Sequence, residues 1–258
     1  AGRVTVLDIR FRNGDQVTFT ARPINIEQLL TDTRSYLESQ PKQLDHNKLQ
    51  IQNVGHRLIS KNQKKYLGKP VANWKLALQP PEGHFDGQES VNTPLKDAGA
   101  YWIEAKINGG NTSRIVLWVA DTAIAKKHIE EGTLYYVADA ATGKPVSQAD
   151  LEFFGFRQER INRTRDHRII TSRFADRTDN DGLCFVSQQK RDHLQWVSIA
   201  RTKEGRLAFA GFSNFWNPQK LSELHYSPTK VFTVTDRPVY RPEHKVQFRM
   251  WLRQPRFH

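Results

Sequence analysis

The feature that most constrains this chain is the period of its apolar residues, which over most of its length is two rather than 3.6. Val4, Val6 and Asp8, then Val17, Phe19 and Ala21, alternate with polar neighbours on either side of Asn13-Gly14-Asp15. Such alternation turns one face of a strand towards a core, and Asn-Gly between two such stretches predicts a hairpin. The pattern returns at Trp74, Leu76 and Leu78, at Tyr101, Ile103, Ala105 and Ile107, and at Ile115, Leu117 and Val119. Between the last two stretches lies Asn108-Gly109-Gly110-Asn111, a second hairpin turn composition. The second half follows the same grammar. Leu134–Val137, Leu151–Phe156, Leu183–Val186, Trp196–Ala200 and Arg206–Ala210 read as strands, with turns at 142–146, 178–182 and Lys203-Glu204-Gly205.

One stretch departs from this. After Asn25 the apolar residues fall at Ile26, Leu29, Leu30, Tyr36 and Leu37, a helical stripe of about three turns. Asn25 is its predicted N-cap, Gln28 stands where a capping box places Gln or Glu, and Pro41 closes the segment. Residues 42–70 are polar and Lys-rich and favour neither helix nor strand.

These readings predict an all-β chain of tandem immunoglobulin-like β-sandwiches, the first carrying a helical insertion near 25–40. The expected divisions are 1–130 for the first sandwich, ending with the segment Asp121–Lys127, and 131–229 for the second. Residues 230–258 are expected to form a hairpin that starts a further domain or completes the second, with Val231–Val234 on an edge of that sandwich.

Composition narrows the function classes. The formal net charge is +12, +4 from residues 1–131 (18 Lys+Arg, 14 Asp+Glu) and +8 from 132–258 (21 and 13). The densest basic run, Arg157–Arg168, includes Glu159 and Asp166 and no aromatic residue, so it reads as a solvated hairpin tip rather than a nucleic-acid stripe. No apolar run is long enough to span a bilayer, and Ala1–Val4 holds no signal core, so any membrane anchor or export signal is expected outside this chain. One cysteine, Cys184, excludes an intrachain disulfide and Cys-pair zinc sites; its strand context predicts a buried, inert thiol.

No His pair has the spacing of a helix-borne metal site, and Asp179-Asn180-Asp181-Gly182 lacks the first and last ligands of a calcium loop, so it reads as a hairpin turn. Neither a phosphate-cradling glycine loop nor a Gly-x-Ser-x-Gly elbow occurs. The reading is therefore no enzyme, no catalytic residues, no metal and no cofactor. Trp74, Trp102, Trp118, Trp196 and Trp251 are expected in cores or seams, and Trp216 under or on a loop.

Near the C-terminus, Thr235-Asp236-Arg237-Pro238-Val239-Tyr240-Arg241-Pro242 resembles the T-D-[RK]-x-x-Y-[RK]-P-G-x-x-V segment of alpha-2-macroglobulin family proteins, with Glu243 where the family has Gly and Val246 in the following strand. Gly99–Ala105 resembles a late strand of a macroglobulin-like domain. Val119–Ile124 with Val137–Val146 resembles the junction into the next such domain, and Thr178–Gly182 its central hairpin turn. Together they cover about residues 95–253 in order and are similar to the bacterial branch. The resemblance assigns a structural role to Thr235, Asp236, Arg237, Pro238, Tyr240, Arg241 and Pro242.

The resemblance implies macroglobulin-like sandwiches within a larger, broad-spectrum endopeptidase inhibitor located outside the cytoplasm. Its partners would be the remaining domains and, through the whole protein, target proteases; neither specific nucleic acid nor direct membrane contact is implied. The family's thioester pattern, Cys-x-Glu-Gln, does not occur here, since Cys184 precedes Phe185-Val186-Ser187, and no bait region is evident. The alternative is an extracytoplasmic β-sandwich module that binds an anionic polymer or envelope glycan, suggested by the +8 half and Trp216.

Overall fold

A computed structural model describes residues 5–49, 51, 54–60, 63–129, 132–161, 167–187, 194–213, 230–235 and 245–253. Antiparallel sheets dominate. In the first sandwich, β1 (Val6–Phe11) pairs with β4 (Gly87–Asn92) and faces a four-stranded sheet ordered β3-β2-β5-β6. That sheet comprises β2 (Gln16–Pro23), β3 (Ala72–Ala77), β5 (Gly99–Ile107) and β6 (Thr112–Val119). Between the sheets, Val17, Phe19 and Ala21 of β2 meet Tyr101 and Ile103 of β5, and Trp74 stacks on Phe19 with ring centroids 5.0 Å apart. The alternation expected for β2 and β3 is the alternation observed; in β5 Tyr101 and Ile103 face this core as expected, but Ala100 and Trp102 on the other face are buried too.

Two expectations for the N-terminal strands are corrected. Asn13-Gly14-Asp15 does not close a hairpin: β1 and β2 lie in different sheets, and the chain arches between them. Gly14 makes the arch with φ 105°, and a Cβ there would lie 2.4 Å from Ile107 Cγ2. The inward face of β1 is Leu7, Ile9 and Phe11, leaving Val6 outside, because that register buries Phe11 and packs Leu7 and Ile9 against the core.

The second sandwich pairs a four-stranded sheet, β10-β9-β12-β13, with a three-stranded one, β11-β8-β7. Its strands are β7 (Thr122–Ile129), β8 (Gly132–Asp139), β9 (Asp150–Arg160), β10 (His167–Arg177), β11 (Leu183–Ser187), β12 (Gln195–Arg201) and β13 (Leu207–Ser213). Its core includes Tyr135, Val137, Leu151, Phe153, Trp196 and Cys184, whose thiol is buried as expected. Trp196 fits because the residue opposite it on β9 is Gly155; a Cβ there would come within 2.6 Å of the indole.

β7 was expected to end the first sandwich but pairs along its length with β8 in the second. Only Ala120 and Asp121 separate β6 from β7, and Ile124 packs on the second core. The turn 178–182 is tight, with Asp179 Oδ1 accepting from the N–H groups of Asp181 and Leu183 at 2.9 and 2.8 Å. It carries the chain from one sheet to the other, so it is an arch rather than a hairpin. The Lys203–Gly205 loop does close a hairpin, β12–β13. β14 (Lys230–Thr235) pairs with β15 (Phe248–Arg253) as a separate two-stranded sheet and, among the described residues, Val231–Val234 does not pair with an edge of the second sandwich as expected, its ladder being taken by β15.

The insertion forms α1 (Ile26–Glu38), α2 (His46–Leu49), α3 (Val54–Ser60) and a 3-10 turn at Lys64–Tyr66, so the described part of 42–70, where the sequence favours neither helix nor strand, is largely helical. Asn25 caps α1 as predicted, its Oδ1 accepting from the Gln28 N–H at 2.9 Å. The Gln28 side chain does not complete the expected box but donates to Asp32 Oδ1 at 2.7 Å.

Candidate functional site: the seam between the sandwiches

The helices do not hang from the first sandwich as an appendage. Ile26, Leu29, Leu30 and Leu37 of α1 share one core with Ala100 and Trp102, on the outer face of the first sandwich. The same core takes in Phe154, Phe156, Ile169, Val197 and Ile199, on the outer face of the second. The layers therefore run sheet, sheet, helices, sheet, sheet, with three apolar interiors between them. At the rim, Trp118 meets Phe209 edge to face, ring centroids 5.6 Å apart, and stays partly exposed.

Polar groups fix the helices on the second sandwich. Arg34 of α1 engages both carboxylate oxygens of Glu152 on β9, and Arg201 Nη1 of β12 donates to the same carboxylate at 3.1 Å. Arg201 Nε reaches Glu27 Oε1 at 3.4 Å, closing a four-member chain of alternating charge. Gln40 follows α1 with φ 54°; its Nε2 donates to the Ile169 carbonyl at 2.6 Å and its Oε1 accepts the Ile169 N–H at 3.0 Å.

Inside the helical layer sits a buried cation. Arg57 of α3 donates from Nη1 to the Lys48 carbonyl at 3.1 Å and from Nε to Gln63 Oε1 at 3.2 Å, while Nη2 reaches Tyr66 Oη at 3.5 Å. Tyr66 Oη in turn donates to Asp32 Oδ2 at 2.8 Å, and Lys65 binds the same carboxylate oxygen. The Lys65 ammonium, opposed by some desolvation and helped by Gln28 and Tyr66, holds Asp32 down at about 2. Burial, then the bond to Asp32, raises Tyr66; burial lowers Arg57; and the Asp32 bond raises Lys65. Every member of this cluster has its ligand already, so the arrangement ties α1, α2, α3 and the 3-10 turn together rather than presenting a reactive group.

Of the residues singled out by motif, Thr235 ends β14 opposite Phe248. Asp236, Arg237, Pro238, Tyr240, Arg241 and Pro242 lie outside the described residues, as does Trp216. Trp251 was expected in a core or seam and is instead exposed on β15. Among the described residues, no three His, Cys, Asp or Glu side chains converge as a metal site would require. The seam residues Arg34, Gln40, Glu152 and Arg201 were missed. The available signal was the run Leu151–Phe156, apolar on both faces of β9, which marks a strand covered on both sides.

The fold thus defines a class: tandem immunoglobulin-like sandwiches joined through a helical layer. No family model matches the sequence, and no curated protein matches it. Among solved structures, the chain is similar to native alpha-2-macroglobulin from Escherichia coli spanning domains MG0-NIE-MG1, at 14% identity and a TM-score of 0.46, covering 81% of this chain and 58% of that one. A second fragment of that protein, spanning domains NIE-MG1, is similar at 15% identity and a TM-score of 0.45, covering 79% and 86%. The Escherichia coli alpha-2-macroglobulin activated by porcine elastase is similar at 10% identity and a TM-score of 0.28, covering 90% of this chain and 23% of that chain.

Proposed function

We propose that this chain is a non-catalytic scaffold and interaction segment of a larger alpha-2-macroglobulin-like endopeptidase inhibitor acting outside the cytoplasm. The observation that carries the reading is where the family-like segments fall in the fold. Gly99–Ala105 lies in β5, Val119–Ile124 crosses the short link between the sandwiches, and Val137–Val146 runs from β8 into its turn. Thr178–Gly182 is the arch between the sheets of the second sandwich, and Thr235 opens the last segment at the end of β14. These are the joints and central strands that a tandem array of such domains needs.

In this reading the first module ends at Ala120, the second runs from Thr122 to Ser213, and the β14–β15 hairpin belongs to a further module. Partners are the other domains of the parent, and proteases only through the assembled whole. The test is to incubate the purified 258-residue chain, and separately its complete reading frame, with serine and metallo-endopeptidases. The complete protein should suppress cleavage of large substrates, and the chain alone should leave activity unchanged. Stoichiometric inhibition by the chain alone, or none by the complete protein, would contradict the reading.

A further inference from the structure

We propose that a cavity between the first sandwich and the helical layer binds a small organic anion, a carboxylate or phosphate carried on a ring-sized apolar body. The cavity is about 600 Å³ and lies under α3 and the 3-10 turn, against the outer face of the β2-β5-β6 sheet. A bare ion needs far less room; this volume matches sites that hold small molecules.

Strand register assembles its floor. Arg22 on β2 stands opposite Trp102 on β5, and one row along, Thr20 stands opposite Glu104, which stands opposite Arg114 on β6. Residues directly opposite on one face of a sheet lie side by side, so the Trp102 indole has the Arg22 guanidinium beside it, and the Glu104–Arg114 pair forms the next row of the floor. Leu58 and Leu67 supply an apolar roof, and Lys64 brings a third cation to the rim.

The charges do not cancel. Glu104 is taken by Arg114 Nε at 2.9 Å. Among the described residues the Arg22 side chain donates from Nη1 to the Gly68 carbonyl at 3.3 Å, and neither Arg22 nor Lys64 forms an ion pair with a carboxylate. A mainly polar site with two unmatched cations and one apolar corner of Trp102, Leu58 and Leu67 suits an oxyanion on a ring: the guanidinium offers a planar fork to the charged group, while the three apolar side chains take the body. This inference stands independently of the family reading above.

The test uses the whole chain, labelled for NMR of the Trp102 indole and titrated separately with phenyl phosphate, benzoate and inorganic phosphate. At least one ring-borne anion should bind saturably with a Kd below about 5 mM and at least about tenfold more tightly than inorganic phosphate; the stronger of the two assigns the charged group as phosphate or carboxylate. Arg22→Gln and Lys64→Gln should each weaken binding about fivefold. Lys64 is exposed, so its variant keeps the test valid if Arg22→Gln perturbs folding. Arg12→Gln removes the same charge at a distant ion pair with Asp86 and should change nothing. No saturation by about 50 mM, equal affinity for inorganic phosphate, or equal weakening by Arg12→Gln would overturn the proposal.

Discussion

Gln40 binds the main chain of Ile169 as a neighbouring strand would, its amide donating at 2.6 Å to the carbonyl and accepting at 3.0 Å from the N–H. β10 is an edge strand of its sheet, and a helix-end side chain thus satisfies one of its open positions, which would otherwise be a buried unpaired site. Gln40→Ala should leave both Ile169 groups without partners and cost about 1–3 kcal/mol. Denaturant unfolding measures the loss, and faster exchange of the Ile169 amide would locate it; unchanged exchange would show that the contact does not protect the edge.

Glu152 serves two arginines from different elements, Arg34 of α1 and Arg201 of β12. The pair with Arg34 is partly buried, so it is screened less than an exposed pair but loses more solvation. A double-mutant cycle with Arg34→Met and Glu152→Gln should give a coupling of about 1 kcal/mol, reduced in about 1 M salt. Zero coupling at low salt would assign the contact to packing alone.

Asp32 gives the helical layer a pH dependence of known sign. Its carboxyl is held at about 2 against an ordinary 3.8, chiefly by Lys65. A depressed carboxylate stabilises the fold fully above its unfolded value and loses that contribution as pH falls through the folded one. The melting temperature should therefore fall between pH 4 and pH 2 by more in the native chain than in Asp32→Asn. Parallel pH profiles for the two would contradict this assignment.

The hairpin β14–β15 exposes Phe232, Phe248, Met250, Trp251 and Leu252 and, among the described residues, pairs with no other sheet. A solitary two-stranded hairpin is marginal in water, and exposed apolar strands invite association. Removing residues 230–258 should leave the unfolding midpoint of the two sandwiches unchanged while lowering binding of a hydrophobic dye and self-association. A drop in midpoint would mean that β14 does complete the second sandwich, as its alternation first suggested.

What the sequence disclosed and what it concealed separate along a physical line. Strand alternation was legible wherever one face met a core and the other met solvent, as in β2 and β3. It misled at β1, where Val6 and Leu7 are both apolar and only the sum over Leu7, Ile9 and Phe11 decides the register. It was silent on the seam. Phe153 and Phe154 are adjacent in sequence yet enter different interiors, so the apolar run announces two covered faces without naming the second cover. The polar contacts are less legible still, because Arg34 and Glu152 lie 118 residues apart and neither sits in a pattern that forecasts the other. Asn25 was readable as a cap because capping is local, with its partner three residues away.

The interior shared by the helical layer and both sandwiches should make them one cooperative body. Equilibrium unfolding followed by amide exchange at Ile103 in the first core, Leu30 in the shared core and Val137 in the second tests it most directly. The shared interior predicts one transition, with all three amides losing protection at the same denaturant concentration and with the same slope. Loss of Leu30 protection together with one sandwich, while the other stays folded to higher denaturant, would contradict it and reduce the seam to a contact between independent domains.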